Sequence, residues 1–348
     1  MNNARTSSVV LALSTLCATT AFAQTNLLLL TESTRPNTSE TTLEQVLVTG
    51  EQPGPGLWKV SKGDHVLWIF GTYAPLPKGM TWRSRAVEAV IAESQEYLPP
   101  VEVDTNIGFF KGLTLLPSLI GIRNNPTGKT LSEVVDAELY ARWLVQKEKY
   151  MGRDNGVETW RPSFAASELY EHAIKKLGFK NPGVPPRSET EEAVEKLAKR
   201  HKLKFITQSL PVEVPQPRQW VKEFKAAPID DLQCFTKTIE LLERDVNSLR
   251  TRANAWAIGN IAELRTQIYV DQRAACVAAL YEAFNLPGAQ QRGFHNIPAQ
   301  LVAIWVAAAE SALAKNKSTF AVLSIDDIYW KDGYIAALRS KGYTVEEP

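Results

Sequence analysis

Three carboxylates raise the question of chemistry. Glu102 closes the β-prone stretch Tyr97–Val103, which Pro99-Pro100 interrupts, and Asp326-Asp327 follow the apolar run Ser318–Leu323. In open α/β sheets, ligands bind in the crevice outside the carboxyl ends of the strands, and all three acids fall at such ends. If they converge, they hold a hard cation or move protons. If they are dispersed, the same acids cap helices and solvate loops. The rings of Tyr73 and Trp82, after the apolar run Val66–Phe70, and of Tyr329 and Trp330, after Asp326-Asp327, suit stacking on a sugar or a peptide, whereas Trp68 sits within a strand and is a packing residue first.

Other site chemistries fail on spacing. Gly128-Lys129-Thr130 ends like a phosphate-binding loop, but Arg123 stands where the first glycine is required. Thr130-Leu131-Ser132-Glu133 is better explained as a capping box. The chain has no Gly-x-Ser-x-Gly, so the usual serine nucleophile elbow is absent. Its four histidines, His65, His172, His201 and His295, show no short metal-ligand spacing and read as structural or surface residues.

The elements that must place these residues come from the two chain ends. Leu57–Val60 and His65–Phe70 read as a hairpin about Ser61–Asp64. Its second strand is apolar without alternation, as expected of a strand covered on both faces. A loop and an amphipathic helix, Trp82–Ser94, follow. The C-terminus repeats the form: strand Ser318–Leu323, polar loop Ser324–Asp332, helix Gly333–Lys341 and strand Tyr343–Val345. Between them, about 107–315, helices are expected at Thr130–Tyr150, Pro162–Leu177, Glu189–His201, Asp230–Leu249, Ile261–Phe284 and Ile297–Ala314, with a short strand at Lys204–Gln208. The expected fold class is α/β, a central mixed sheet from the N- and C-terminal segments with a large helical insertion. The folded domain is expected over 57–348.

The N-terminus carries an address. Arg5, the apolar Val9–Leu16 and Ala21-Phe22-Ala23 form a secretory signal peptide over 1–23, with cleavage before Gln24. Residues 24–56 read as a flexible polar tether. The localisation expected is periplasmic or secreted. No later run reaches about 18 uncharged apolar residues, so no transmembrane segment is expected. Loss of residues 1–23 removes one cation and leaves 38 Lys and Arg against 38 Asp and Glu, a balance that argues against a nucleic-acid partner. It also removes Cys17. In an oxidising compartment the remaining pair, Cys234 and Cys276, reads as one disulfide, with two buried thiols as the alternative.

Several stretches resemble the TraB/GumN family, which includes the TIKI metalloproteases and is related to the EreA/ChaN-like superfamily. They are Leu57–Val60, Gly71-Thr72 and Leu76–Trp82 at the start, Pro126–Leu131 and Trp160–Pro162 in the middle, and Thr319–Val322 and Ala337–Glu346 at the end. The family pattern carries Gly-x-x-His after the first strand, where Ala74 stands here. It carries a second after the late strand, matched by Ser324-Ile325-Asp326-Asp327. A family glutamate aligns near Pro100, two residues before Glu102. An Arg-Asn pair precedes a late Trp by four residues; if Trp305 is that Trp, Leu301-Val302 stand there. An alanine offers a metal no lone pair, so the resemblance implies a degenerate site with no metal and no cofactor. It implies a non-catalytic protein binding a peptide, glycan or protein partner in a cleft of Gly71, Thr72, Tyr73, Ala74, Trp82, Tyr329 and Trp330. The alternative is a metal-dependent hydrolase or peptidase rebuilt on Glu102, Asp326 and Asp327.

Overall fold

The opening hairpin turns on two residues. Strands β1 (Leu57–Lys62) and β2 (His65–Thr72) pair antiparallel from Leu57↔Phe70 to Lys62↔His65, leaving Gly63-Asp64 as the turn. Gly63 takes φ +67°, a conformation that costs glycine nothing. The computed structural model describes residues 54–105, 109–126, 128–153, 155–180, 188–244, 246–265, 272–279, 282 and 296–348. The signal peptide expected over 1–23, most of the 24–56 tether, and His295 lie outside the described residues.

β2 is central. It pairs parallel with β7 (Ser318–Ser324) on its other side, and the six-stranded order is β5 (Lys204–Phe205), β3 (Glu96–Leu98), β7, β2, β1, β8 (Thr344–Glu346). Strands β3 and β5 extend the parallel part, and β8 lies antiparallel to β1. With neighbours on both edges, β2 buries Leu67, Ile69 and Phe70 without alternation. The chain ends do supply most of the sheet. Edge strand β5, however, comes from within the insertion.

Helix α1 (Arg85–Glu93) packs with α6 (Glu189–Arg200) and against β7. The insertion contributes α2 (Phe109–Leu119), α3 (Leu131–Val134), α4 (Ala137–Tyr150), α5 (Pro162–Lys176), α7 (Pro217–Ala226), α8 (Leu232–Arg244), α9 (Val246–Ala257), α10 (Ile261–Leu264) and a helical stretch at 272–279. Trp143, Leu169, Phe235 and Cys234 give α4, α5 and α8 a core of their own. The Sγ atoms of Cys234 and Cys276 lie at bonding distance, 2.05 Å, with their Cα atoms 4.4 Å apart.

Helix α11 (Ile297–Lys315) is the one described helix long and apolar enough to cross a membrane, but part of it belongs to the core. Its Val302, Trp305, Val306, Ala309 and Leu313 are buried in the cluster that holds β2 and β7. Burial of each large apolar side chain favours that position by about 1.5–3 kcal/mol. Helix α13 (Tyr334–Ser340) packs beside it.

Three expectations are corrected. The helix expected over Thr130–Tyr150 is two: the Thr130–Glu133 capping box starts α3, and Asp136 caps α4 by accepting from the Leu139 amide at 2.9 Å. The polar loop expected at Ser324–Asp332 contains a short helix, α12 (Ile325–Tyr329), because Ser324 caps it. The strand expected over Tyr97–Val103 divides at Pro99-Pro100 between two sheets. Its second part, β4 (Glu102–Thr105), pairs parallel with β6 (Ser209–Val212), which the sequence reading missed. Proline cannot donate to a sheet ladder, so the chain leaves the central sheet there.

Candidate functional site

Two chain exits stand side by side at the carboxyl edge of the sheet. The parallel register sets Gly71 against Leu323 and Thr72 against Ser324, so the loops after β2 and β7 leave as neighbours. One strand further, Leu98 of β3 pairs with Ala321 before Pro99-Pro100 turn away.

What fills the space is aromatic. Trp256 of α9 donates from Nε1 to the Gly71 carbonyl at 2.7 Å in a buried contact. Its ring stacks with Tyr73 at 6.5 Å between centroids and meets Trp82 edge-on at 5.6 Å; Phe70 lies 5.6 Å from Trp82. Tyr73 is 5% exposed, and the guanidinium of the buried Arg252 lies 6.0 Å from its ring centroid. Tyr329 packs edge-on against Trp58 at 6.0 Å, and the Arg265 guanidinium covers its ring at 5.0 Å. Burial pushes the Tyr329 hydroxyl up. Of the rings expected to stack on a ligand, Tyr73, Trp82 and Tyr329 are therefore engaged by the protein itself. Trp330 is the exposed one, at 39%.

Gly71 is required by this packing. A Cβ there would stand 2.5 Å from Ile325 Cδ1 and 2.8 Å from the Trp58 ring. The approach lets α12 fold directly onto the end of β2.

The acids part company. Ser324 Oγ donates to Asp327 Oδ2 at 2.6 Å and accepts from the Asp327 amide at 3.0 Å, closing the cap of α12. Burial chiefly raises the Asp327 carboxyl above its ordinary range, against the pull of Ser324 and Arg273. Asp326 Oδ2 meets Arg273 Nε at 2.7 Å. Glu102 is exposed on β4, outside the central sheet, with its amide on the Gln208 carbonyl. Among the described residues, no three His, Cys, Asp or Glu side chains converge as a metal site would require. A transition metal needs a denser, softer ligand set than two engaged carboxylates, and the Ala74 side chain has no coordinating atom, so the described residues do not fit a catalytic metal centre.

The described histidines have structural work. His65 Nδ1 meets the Leu313 carbonyl at the far end of β2, His172 pairs with Glu168, and His201 with Glu88. Sequence reasoning missed Arg273 and Trp256. Both lie in helical segments whose apolar periodicity gives no sign of what they face, and only the register of the insertion against the sheet brings them to the site.

A groove lies beside Trp330, just past α12. About 580 Å3 opens along α11 from Asn296 to Glu310, walled by Ala337 and Lys341 of the α13 segment and by Trp330. Its floor is apolar, from Pro298, Val302 and Val306.

Fold and site together describe an α/β protein whose sheet carries a long helical insertion, and whose two central loops meet at one carboxyl edge. The chain belongs to the TraB/PrgY/gumN family, whose sequence pattern matches residues 56–347. No curated protein and no solved structure matches it.

Proposed function

We propose that this chain is an exported, non-catalytic member of its family that binds a peptide, glycan or protein partner at the degenerate cleft edge. The observation that carries the reading is the separate engagement of the acids: Asp326 on Arg273, Asp327 on Ser324, and Glu102 in another sheet. Ala74 and Asp327 stand where the family pattern has its histidines. The groove beside Trp330 is the binding surface of this reading, an apolar floor with an exposed indole on its rim and the polar groups of Glu310, Asp332 and Lys341 around it. The signal sequence over 1–23 and the Cys234–Cys276 pair support export into an oxidising compartment.

Titration of tryptophan fluorescence with oligosaccharides and with peptides tests the binding surface. Trp330→Ala should weaken a bound ligand by roughly three- to tenfold, the worth of one ring contact. Equal affinity in the variant removes the groove from the reading. Mass spectrometry of the extracytoplasmic fraction should find the chain beginning near Gln24, and an intact Met1 there sinks export.

One observation favours a second reading, a hydrolase with a rearranged carboxylate site. Asp327 is held partly buried with its carboxyl raised, and functional acids are often tuned this way. Hydrolytic activity lost in Asp327→Ala would establish it.

A further inference from the structure

We propose that the ledge formed by α2 and α7 docks on the surface of an anionic lipid bilayer. Helix α2, FFKGLTLLPSL, has one charged residue in its length. Leu115 and Leu119, one turn apart, are buried against the protein. On the other side Leu116 is 55% exposed, and Ile120, just past the helix, is 77% exposed. A helix apolar on both its buried and its solvent side needs a second apolar neighbour.

The charges beside it select that neighbour. Helix α7 packs along α2 and carries Arg218, Lys222 and Lys225 at i, i+4 and i+7, a single stripe. Arg218 Nη2 donates to the Thr114 carbonyl at 3.0 Å, and Lys225 Nζ donates to the Ile120 carbonyl. The stripe therefore runs beside the exposed leucine and isoleucine, with Lys222 exposed between the two anchors. Glu223 lies off the stripe and accepts from Gln219 at 3.0 Å. Aliphatic side chains flanked by cations match the headgroup boundary: the aliphatics enter the acyl edge while the ammonium and guanidinium groups reach lipid phosphates. Two exposed aliphatics are far too little surface for a stable protein interface, which buries about 800 Å2 per partner.

Vesicle co-sedimentation of the whole chain tests the inference, with wild type and variants sharing the same N-terminus. Wild type should partition onto phosphatidylglycerol vesicles at least roughly tenfold better than onto phosphatidylcholine, and 1 M salt should release it, because the Debye length falls to about 3 Å. Leu116→Glu/Ile120→Glu should lower partitioning by roughly tenfold or more with an unchanged circular dichroism spectrum, and Lys222→Glu should lower it less. Equal partitioning of wild type and the Leu116/Ile120 variant overturns the proposal. So does a wild type that ignores vesicles, or one that forms a dimer in sedimentation velocity which the same variant abolishes.

Discussion

Trp256 Nε1 donates to the Gly71 carbonyl at 2.7 Å, which ties α9 of the insertion to the end of the central strand. The insertion is thereby fastened at the point where the chain leaves β2. The same residue, Gly71, lies under Ile325, so α9, β2 and α12 all meet at one position that has no room for a side chain.

Gly71→Ala is expected to destabilise the fold. Its Cβ would fall 2.5 Å from Ile325 Cδ1, 2.8 Å from Trp58 Cζ3 and 3.1 Å from Ile328 Cδ1, all of them side chains in the core. Overpacking of this kind costs about 1–3 kcal/mol. Urea unfolding followed by tryptophan fluorescence reads the loss. A midpoint equal to that of the wild type would show that α12 moves away freely.

Reduction of the Cys234–Cys276 pair is expected to cost about 3–4 kcal/mol in the chain-entropy model. The two positions are 42 residues apart and join α8 to the helical stretch at 272–279, within a core that holds Phe235 and Leu169. Thiol labelling of the unreduced, denatured protein should leave Cys234 and Cys276 unlabelled. Unfolding with and without reductant should differ by the stated amount, and full labelling without reductant contradicts the bond.

The sheet was legible in the sequence because its signals are local. The unalternating apolar run of β2, the turn at Gly63 and the matching strand–helix form of both chain ends each sit within a few residues. That the chain leaves β2 and β7 side by side is a matter of their parallel register, which ends at Thr72↔Ser324. What escaped depends on long-range register. Glu102 reads as the end of a central strand until Pro99-Pro100 sends the chain to pair with β6. Arg273 shows no motif of its own, and its ion pair with Asp326 spans 53 residues of chain. Trp256 is one of nine tryptophans, and only the fold of the insertion aims it at Gly71.

Stability should carry a pH signature from Asp327. Its carboxyl is raised in the folded protein, chiefly by burial. Below the unfolded value of about 3.9, both states hold the proton and the group is neutral to folding. As pH rises through that value, the unfolded chain releases its proton first, so stability falls until the folded group has also titrated. Asp327→Asn lacks this titration and should gain on the wild type over that window alone. Chemical unfolding across a pH series measures the difference, in which groups common to both proteins cancel. Parallel stability curves would remove the raised carboxyl from the account.

The purified protein is expected to hold no stoichiometric zinc and to show no chelator-sensitive peptidase activity. A catalytic zinc takes three protein ligands rich in His or Cys and keeps a fourth position open. At the carboxyl edge of this sheet, the loop after β2 supplies Ala74, whose side chain has no donor atom. The loop after β7 supplies Asp326 and Asp327, and both are already bound, to Arg273 and to Ser324. To serve a metal they would give up an ion pair and the hydrogen bond from the Ser324 hydroxyl. Glu102 belongs to the other sheet, and His65 sits at the opposite end of β2 against Leu313. Cys234 and Cys276 are joined to each other. Carboxylates alone suit magnesium, calcium or manganese better than zinc. Elemental analysis, with a protease assay in added manganese or cobalt, measures this directly. His295→Ala should leave the metal content unchanged. About one equivalent of metal per chain, lost together with activity in Asp327→Ala, would replace the binding reading with a working hydrolase.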